Sequence, residues 1–167
     1  FKQKTAYEIR LSLVGSEMCI RDRLVILVLS ACVTLAFKFD GSLLKYISTN
    51  SAPKAIGPYS QAVADDNYIF LSGQIAINPK TNQLDTANFQ QEVTQVLENL
   101  KAVLESSESN LDRVAKVTVY MTDLSKFEEF NQVYAKYFSA HKPARETVEV
   151  HRLPKNAHIE ISVIAKR

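Results

Sequence analysis

Arg145 and Glu160 are the two side chains of this sequence best suited to chemistry on a small anion. Arg145 stands in Pro143-Ala144-Arg145-Glu146-Thr147-Val148-Glu149-Val150, and Glu160 in His158-Ile159-Glu160-Ile161-Ser162-Val163. In both runs apolar and polar residues alternate with period two, the pattern of a half-buried strand. Alternation turns Arg145, Thr147 and Glu149 away from Val148 and Val150, and His158, Glu160 and Ser162 away from Ile159, Ile161 and Val163. With Leu153-Pro154-Lys155-Asn156 as the turn between them, the two strands are expected to be neighbours. The guanidinium and the carboxylate would then share the polar face of one sheet. A planar guanidinium donates two parallel hydrogen bonds to a carboxylate, and a nearby Glu can position a water. The plain alternative is a solvated sheet face, where Arg and Glu are ordinary, or a structural ion pair of Arg145 with Glu160 or Glu149. An Arg on an inward polar face is costly unless it is paired or used.

The elements that must position this pair are legible from the same kind of pattern. Residues 46–49 form a short candidate strand, and 60–64 with 68–77 read as a hairpin around Asp65-Asp66-Asn67, whose side chains favour turns. Asn78-Pro79-Lys80-Thr81-Asn82 breaks the chain. Phe89, Val93, Val96, Leu97, Leu100, Val103 and Leu104 recur at helical spacing, predicting an amphipathic helix over about 88–106. Residues 114–121 alternate as a main strand. A second helix is predicted over about 125–138, with Phe127, Phe130, Val133, Tyr134, Tyr137 and Phe138 on one stripe and Asp123 as its cap. The β-β-α-β-α-β-β order is α+β, a mixed sheet with two helices on one face. The other face, expected to carry Arg145, Thr147, Glu149 and Glu160, is mixed in character and suited to meeting other subunits.

Pro-Ala-Arg, Val-Glu-Val, Leu-Pro-Lys and Ile-Glu-Ile together resemble the C-terminal signature of the Rid/YjgF family, the reactive-intermediate deaminases. Ile56-Gly57-Pro58-Tyr59-Ser60-Gln61-Ala62 resembles that family's N-terminal motif, and Leu71-Ser72-Gly73-Gln74-Ile75 its second. Asn131, in Phe130-Asn131-Gln132-Val133-Tyr134, falls where the family has a helical Asn. The resemblance covers residues 45–167 and rests on four motifs in order, which makes it specific. It implies a chorismate-mutase-like fold, a homotrimer with sites at the subunit interfaces, and no cofactor.

The reaction it implies is hydrolysis of short-lived enamine/imine intermediates, 2-aminoacrylate/2-iminopropanoate and 2-iminobutanoate, to 2-oxo acids and ammonia. Such an imino acid carries a carboxylate next to a C=N carbon. Arg145 suits the carboxylate, and Pro143 restricts the backbone from which it emerges. Glu160 is the group to orient the attacking water and handle protons. Tyr59 follows Gly57-Pro58 in a constrained loop and offers a phenolic hydrogen bond. Gly73 would let backbone groups approach the substrate, Ser72 adds a hydroxyl, and Asn131 offers a donor and an acceptor. Without the motifs, Tyr59 and Asn131 are equally packing or turn residues, and Ser72-Gly73 a strand bulge. Thr147 stands where many bacterial members have Cys, so no thiol is available there, while a hydroxyl contact remains open to it. Glu146 and His151 replace more usual small residues, and alternation turns Glu146 away from Arg145.

Residues 1–44 stand outside this pattern as a leader. Residues 1–49 carry seven Lys/Arg against four Asp/Glu, whereas 50–167 carry thirteen against fourteen, so the overall charge of +2 comes from the leader. Residues 1–23 resemble translated sequencing-adapter read-through and are excluded from fold reasoning. Residues 24–37 are uncharged and follow Arg21 and Arg23, as in the apolar region of a secretory signal. Leu29-Ser30-Ala31-Cys32 resembles a lipoprotein cleavage box. Two explanations stay open. Either the run is a genuine signal and the domain is exported or lipid-anchored, or it is upstream sequence read in frame and a cytoplasmic protein begins near Lys45.

Other chemistries find little support in 45–167. His141, His151 and His158 lack the close spacing of metal ligands and have no Cys beside them, so no metal is expected. Gly57 and Gly73 are the only glycines, which excludes a phosphate-binding loop. A net charge of −1 over 50–167, without a Lys/Arg cluster, lacks the footprint of nucleic-acid binding and argues against a ribonuclease or translation inhibitor. The domain itself has no membrane segment. A non-catalytic ligand-binding or chaperone-like member remains the other class, and Glu160 favours the enzyme because holding a carboxylate would not require it.

Overall fold

Val114–Met121 (β4) is the strand around which the sheet is organised in the computed structural model, which describes residues 43–167. Before it come Lys45–Ile47 (β1), Ala62–Ala64 (β2), Tyr68–Leu71 (β3) and the helix Phe89–Ser106 (α1). After it come the helix Phe127–Tyr137 (α2), Ala144–Glu149 (β5) and Ile159–Lys166 (β6). The six strands form one sheet in the order β1-β2-β3-β6-β4-β5. Every pair is antiparallel except β4 with β5, which run parallel. Parallel neighbours require a crossover, and α2 supplies it. The α+β class and the two helices on a mixed sheet are as expected from the sequence, and the short strand expected at 46–49 is the edge strand β1 at Lys45–Ile47.

The helices form where the apolar stripes predict. Asn88 caps α1 by accepting the Gln91 amide at 2.9 Å, which satisfies one of the donors left open at a helix start. Val93, Val96, Leu97, Leu100, Val103 and Leu104 are fully buried along its inner face. Asp123 accepts the Ser125 amide at 2.9 Å, capping a single 3-10 turn that leads into α2. Both helices cover the face carrying Ile69, Val117, Val119, Met121, Ile159, Ile161 and Val163. The opposite face exposes Tyr46, Tyr68, Phe70 and Val148.

Two expectations about the C-terminal strands do not hold. β5 and β6 are not neighbours, because β4 lies between them and pairs with both. Nor do Arg145 and Glu160 share a face. Residues directly opposite across a ladder project to the same side, and Arg145, Thr147 and Glu149 lie opposite the buried Val117, Val119 and Met121. These three polar side chains therefore point to the helical side, at the sheet's edge, while Val148 points to the open face. Glu160 lies opposite Tyr120, which lies opposite Val148, so it belongs to the open face. The connection between β5 and β6 must pass the end of β4, and it does so with Lys155 and Asn156 at φ 56° and 58° in the left-handed region.

His158 departs from alternation as well. Its backbone N–H donates to Glu92 Oε1 at 2.7 Å and its Nδ1 lies 2.8 Å from Glu92 Oε2, on the buried side of α1. The leader readings, residues 1–44 with the apolar run 24–37 and Cys32, fall outside the described residues except for Leu43 and Leu44. No helix among the described residues is long and apolar enough to cross a membrane.

Candidate active site

Glu160 sits in a cavity of about 340 Å³ with Tyr59, Ser72, Gly73, Ile75 and Pro154 on its walls. Burial pushes its carboxyl above the usual carboxylate range, since a low-dielectric surrounding disfavours the charged form. Gly73 makes the placement possible. A Cβ built there would overlap Glu160 Oε1 and lie 2.8 Å from its Cδ. The glycine is thus required for close approach of the carboxylate, and the space at its Cα is filled by Glu160. Gln74 and Ile161 exchange backbone hydrogen bonds of 2.8 and 3.0 Å, which hold this stretch against β6.

The loop that carries Tyr59 is clamped by a side chain whose role the motif alone did not reveal. Gln61 is buried; its Oε1 accepts the Thr49 amide at 2.5 Å and its Nε2 donates to the Pro53 carbonyl at 2.6 Å. Ser72 Oγ donates to the Ser60 carbonyl at 2.7 Å, so that hydroxyl ties the segment leading into β2 to the one leaving β3 as it lines the cavity. Asn99 of α1 donates to the carbonyls of Ile75 and Ile77 at 3.1 and 2.9 Å, fixing the floor. Buried amides with several backbone partners carry no sequence pattern, because their partners are distant in the chain.

Arg145 builds a second centre on the helical side. Its guanidinium carbon lies 4.7 Å from the ring centroid of Tyr134, 5.1 Å from Phe130 and 5.5 Å from Phe127, all on α2. It borders two cavities, one of about 490 Å³ with Leu124, Phe127 and Thr147, the other of about 400 Å³ with Asn131, Tyr134 and Pro143. The ion pairs among the described residues are Lys116–Glu146, His158–Glu92 and Arg167–Glu108, so the structural pairing of Arg145 with Glu160 or Glu149 does not occur there. Glu149 accepts the Leu124 amide at 2.8 Å instead. Glu146 faces away from Arg145 as expected, accepting from Thr118 Oγ1 at 2.8 Å, and its hydrogen bonds with Thr118 and Lys116 hold its carboxyl below the usual range.

The sequence-predicted residues therefore separate into two groups. Tyr59, Ser72 and Gly73 gather around Glu160; Asn131 and Thr147 gather around Arg145. Among the described residues no cluster of His, Cys, Asp and Glu side chains could hold a metal ion.

A family model described as endoribonuclease L-PSP matches residues 49–167. The chain belongs to the Rid/YjgF family. A RutC family protein of Pyrococcus horikoshii is 51% identical over 119 residues, covering 71% of this chain and 94% of its own. The chloroplastic Reactive Intermediate Deaminase A of Arabidopsis thaliana is 43% identical over 71% of this chain and 64% of its own. The crystal structure of E. coli TdcF with bound serine superposes with a TM-score of 0.71 at 40% identity, covering 74% of this chain and 98% of the other. The match begins at residue 49 and includes the residues of both centres.

Proposed function

We propose that this Rid family member hydrolyses reactive 2-imino acids, such as 2-iminopropanoate and 2-iminobutanoate, to 2-oxo acids and ammonia. The observation that carries the proposal is the Arg145 guanidinium: half-buried, bordering two cavities, and engaged by no carboxylate among the described residues. A planar fork with its N–H edges uncommitted is suited to an incoming carboxylate. The serine named with E. coli TdcF is itself a small 2-amino acid with such a carboxylate.

In the proposed reaction Arg145 anchors the carboxylate and Glu160 orients a water toward the imine carbon. The new C–O bond forms as the C=N π electrons pass to nitrogen, which takes a proton. The carbinolamine then collapses: the proton leaving its hydroxyl passes to the amino nitrogen, the C=O bond forms as the C–N bond breaks, and ammonia leaves. A carboxyl raised by burial suits both halves of this exchange, since its protonated and ionised forms lie closer in free energy near neutral pH. Tyr59, Ser72, Asn131 and Thr147 surround the substrate with hydrogen-bonding groups.

Because Arg145 and Glu160 stand on opposite faces of one chain's sheet, the reading requires a second copy. Arg145, Asn131 and Thr147 of one chain would face Tyr59, Gly73 and Glu160 of the next, in a homotrimer with sites at its interfaces. Exposed Tyr46, Tyr68, Phe70 and Val148 on the open face are surface that association would bury. The same separation gives substance to a second reading, in which Arg145 binds carboxylates without turnover.

A coupled assay distinguishes the two. A dehydratase generates 2-iminopropanoate from serine, and imine decay is followed with and without the protein. Faster decay that disappears in Arg145→Ala supports the deaminase. Pyruvate binding without any acceleration would establish the binding module instead.

A further inference from the structure

Resting on Arg145 as the carboxylate anchor, we propose that Phe127, Phe130 and Tyr134 form an aromatic cage that fixes its guanidinium before the anion arrives. Tyr134 is the principal positioning residue. The three rings lie at helical spacing on one face of α2, and the β4–β5 register brings Arg145 against that face, opposite Val117. The guanidinium carbon is within 5.5 Å of all three centroids and closest to Tyr134, at 4.7 Å. Such distances place a cation in the attractive field of the ring faces.

The rings are themselves held. Phe130 and Tyr134 are tilted at 48° with centroids 5.3 Å apart, and Tyr134 stacks on Phe138 at 4.4 Å and 25°. The Tyr134 hydroxyl is buried and has no hydrogen-bond partner among the described residues. Burial, partly offset by Arg145, pushes it up to about 12, so it remains neutral. What Tyr134 presents to Arg145 is therefore its ring and not a polar tip.

A cage of rings does what a carboxylate partner could not. A carboxylate would orient the guanidinium by occupying its N–H donors and would compete with the ligand for them. Rings attract the cation with their own π faces and bring no carboxylate oxygen to its N–H groups, which stay available for an oxyanion. A long flexible side chain otherwise loses rotamer freedom when it binds, and the cage moves that loss from binding to folding.

The test uses the full chain in three single variants, Tyr134→Phe, Tyr134→Leu and Phe127→Leu, and in Arg145→Ala with and without Tyr134→Leu. Two quantities are measured: the order parameter of the Arg145 Nε–Hε vector by 15N NMR, and the affinity for pyruvate. Tyr134→Leu is expected to lower the order parameter from the rigid range toward about 0.6. It should also weaken pyruvate about tenfold, the size of one desolvated cation–π contact. Tyr134→Phe keeps the ring and restores both. In an Arg145→Ala background Tyr134→Leu should weaken pyruvate no further. Phe127 is more exposed, so Phe127→Leu reports on the cage even where Tyr134→Leu does not fold. An unchanged order parameter in the folded Leu variants overturns the cage. If the wild type neither binds pyruvate nor hydrolyses imines while the order parameters respond as stated, the cage stands and the deaminase reading falls.

Discussion

Glu160 Oε1 occupies the space that a Cβ would take on Gly73, so this carboxylate and this glycine are one structural unit. Gly73 has no left-handed φ to explain it. Its requirement comes from the side chain of another strand. Gly73→Ala should therefore push the flexible carboxylate aside with little damage to the fold. We expect kcat for imine hydrolysis to fall about 100-fold, the scale of a misplaced catalytic group, with the thermal midpoint changing by only a few degrees. An Ala variant with wild-type kcat would show that the placement of Glu160 is immaterial.

Arg145 and Glu160 on opposite faces predict complementation between inactive chains. Arg145→Ala should abolish turnover through lost anchoring, and Arg145→Lys should restore little because an ammonium lacks the fork. Glu160→Gln should slow turnover more than it weakens pyruvate. Mixing Arg145→Ala with Glu160→Gln chains under conditions of subunit exchange should recover about a quarter of wild-type activity, the share of interfaces that pair an intact Arg145 with an intact Glu160 in a closed ring. Recovery of nothing, with exchange verified by mass spectrometry, would place the site within one chain.

The raised carboxyl of Glu160 sets a pH signature of definite sign. A group whose folded pKa is raised contributes stability that is present below the unfolded value, about 4.5, and is lost as pH rises through the folded pKa. At pH 7 the charged form is thus held against a desolvation cost. Glu160→Gln should unfold at a higher temperature than the wild type at pH 7, and the gap should close toward pH 4. The acid limb of kcat/KM should lie above 4.5 in the wild type and disappear in the variant. Calorimetry across pH and a pH–rate profile test the two halves separately.

Asn99→Ala is expected to destabilise the fold by about 2 kcal/mol, because the carbonyls of Ile75 and Ile77 lose a buried donor. Denaturant titration measures this. Since Ile75 is a wall of the Glu160 cavity, kcat should fall as well while pyruvate affinity at Arg145 changes less. Equal losses in both would contradict the independence of the two half-sites within one chain.

Local pattern settled much of this protein before any tertiary contact was known. The apolar stripe from Phe89 to Leu104 defines α1, and alternation from Val114 to Met121 defines β4, because both depend on neighbours within a few residues. The motifs around Tyr59, Gly73, Asn131 and Arg145 named the family for the same reason. Alternation also separated Arg145 from Glu146 correctly. It could not say which of the two faces the helices cover, or which strand pairs with which. Backbone N–H and C=O groups are alike in every residue, so pairing is chosen by the packing of the whole sheet. β5 runs parallel to β4 because α2 carries the chain back over the sheet, and β6 then enters on the other side of β4. Those two choices put Arg145 over the rings of α2, Glu160 against Gly73, and the two centres on opposite faces.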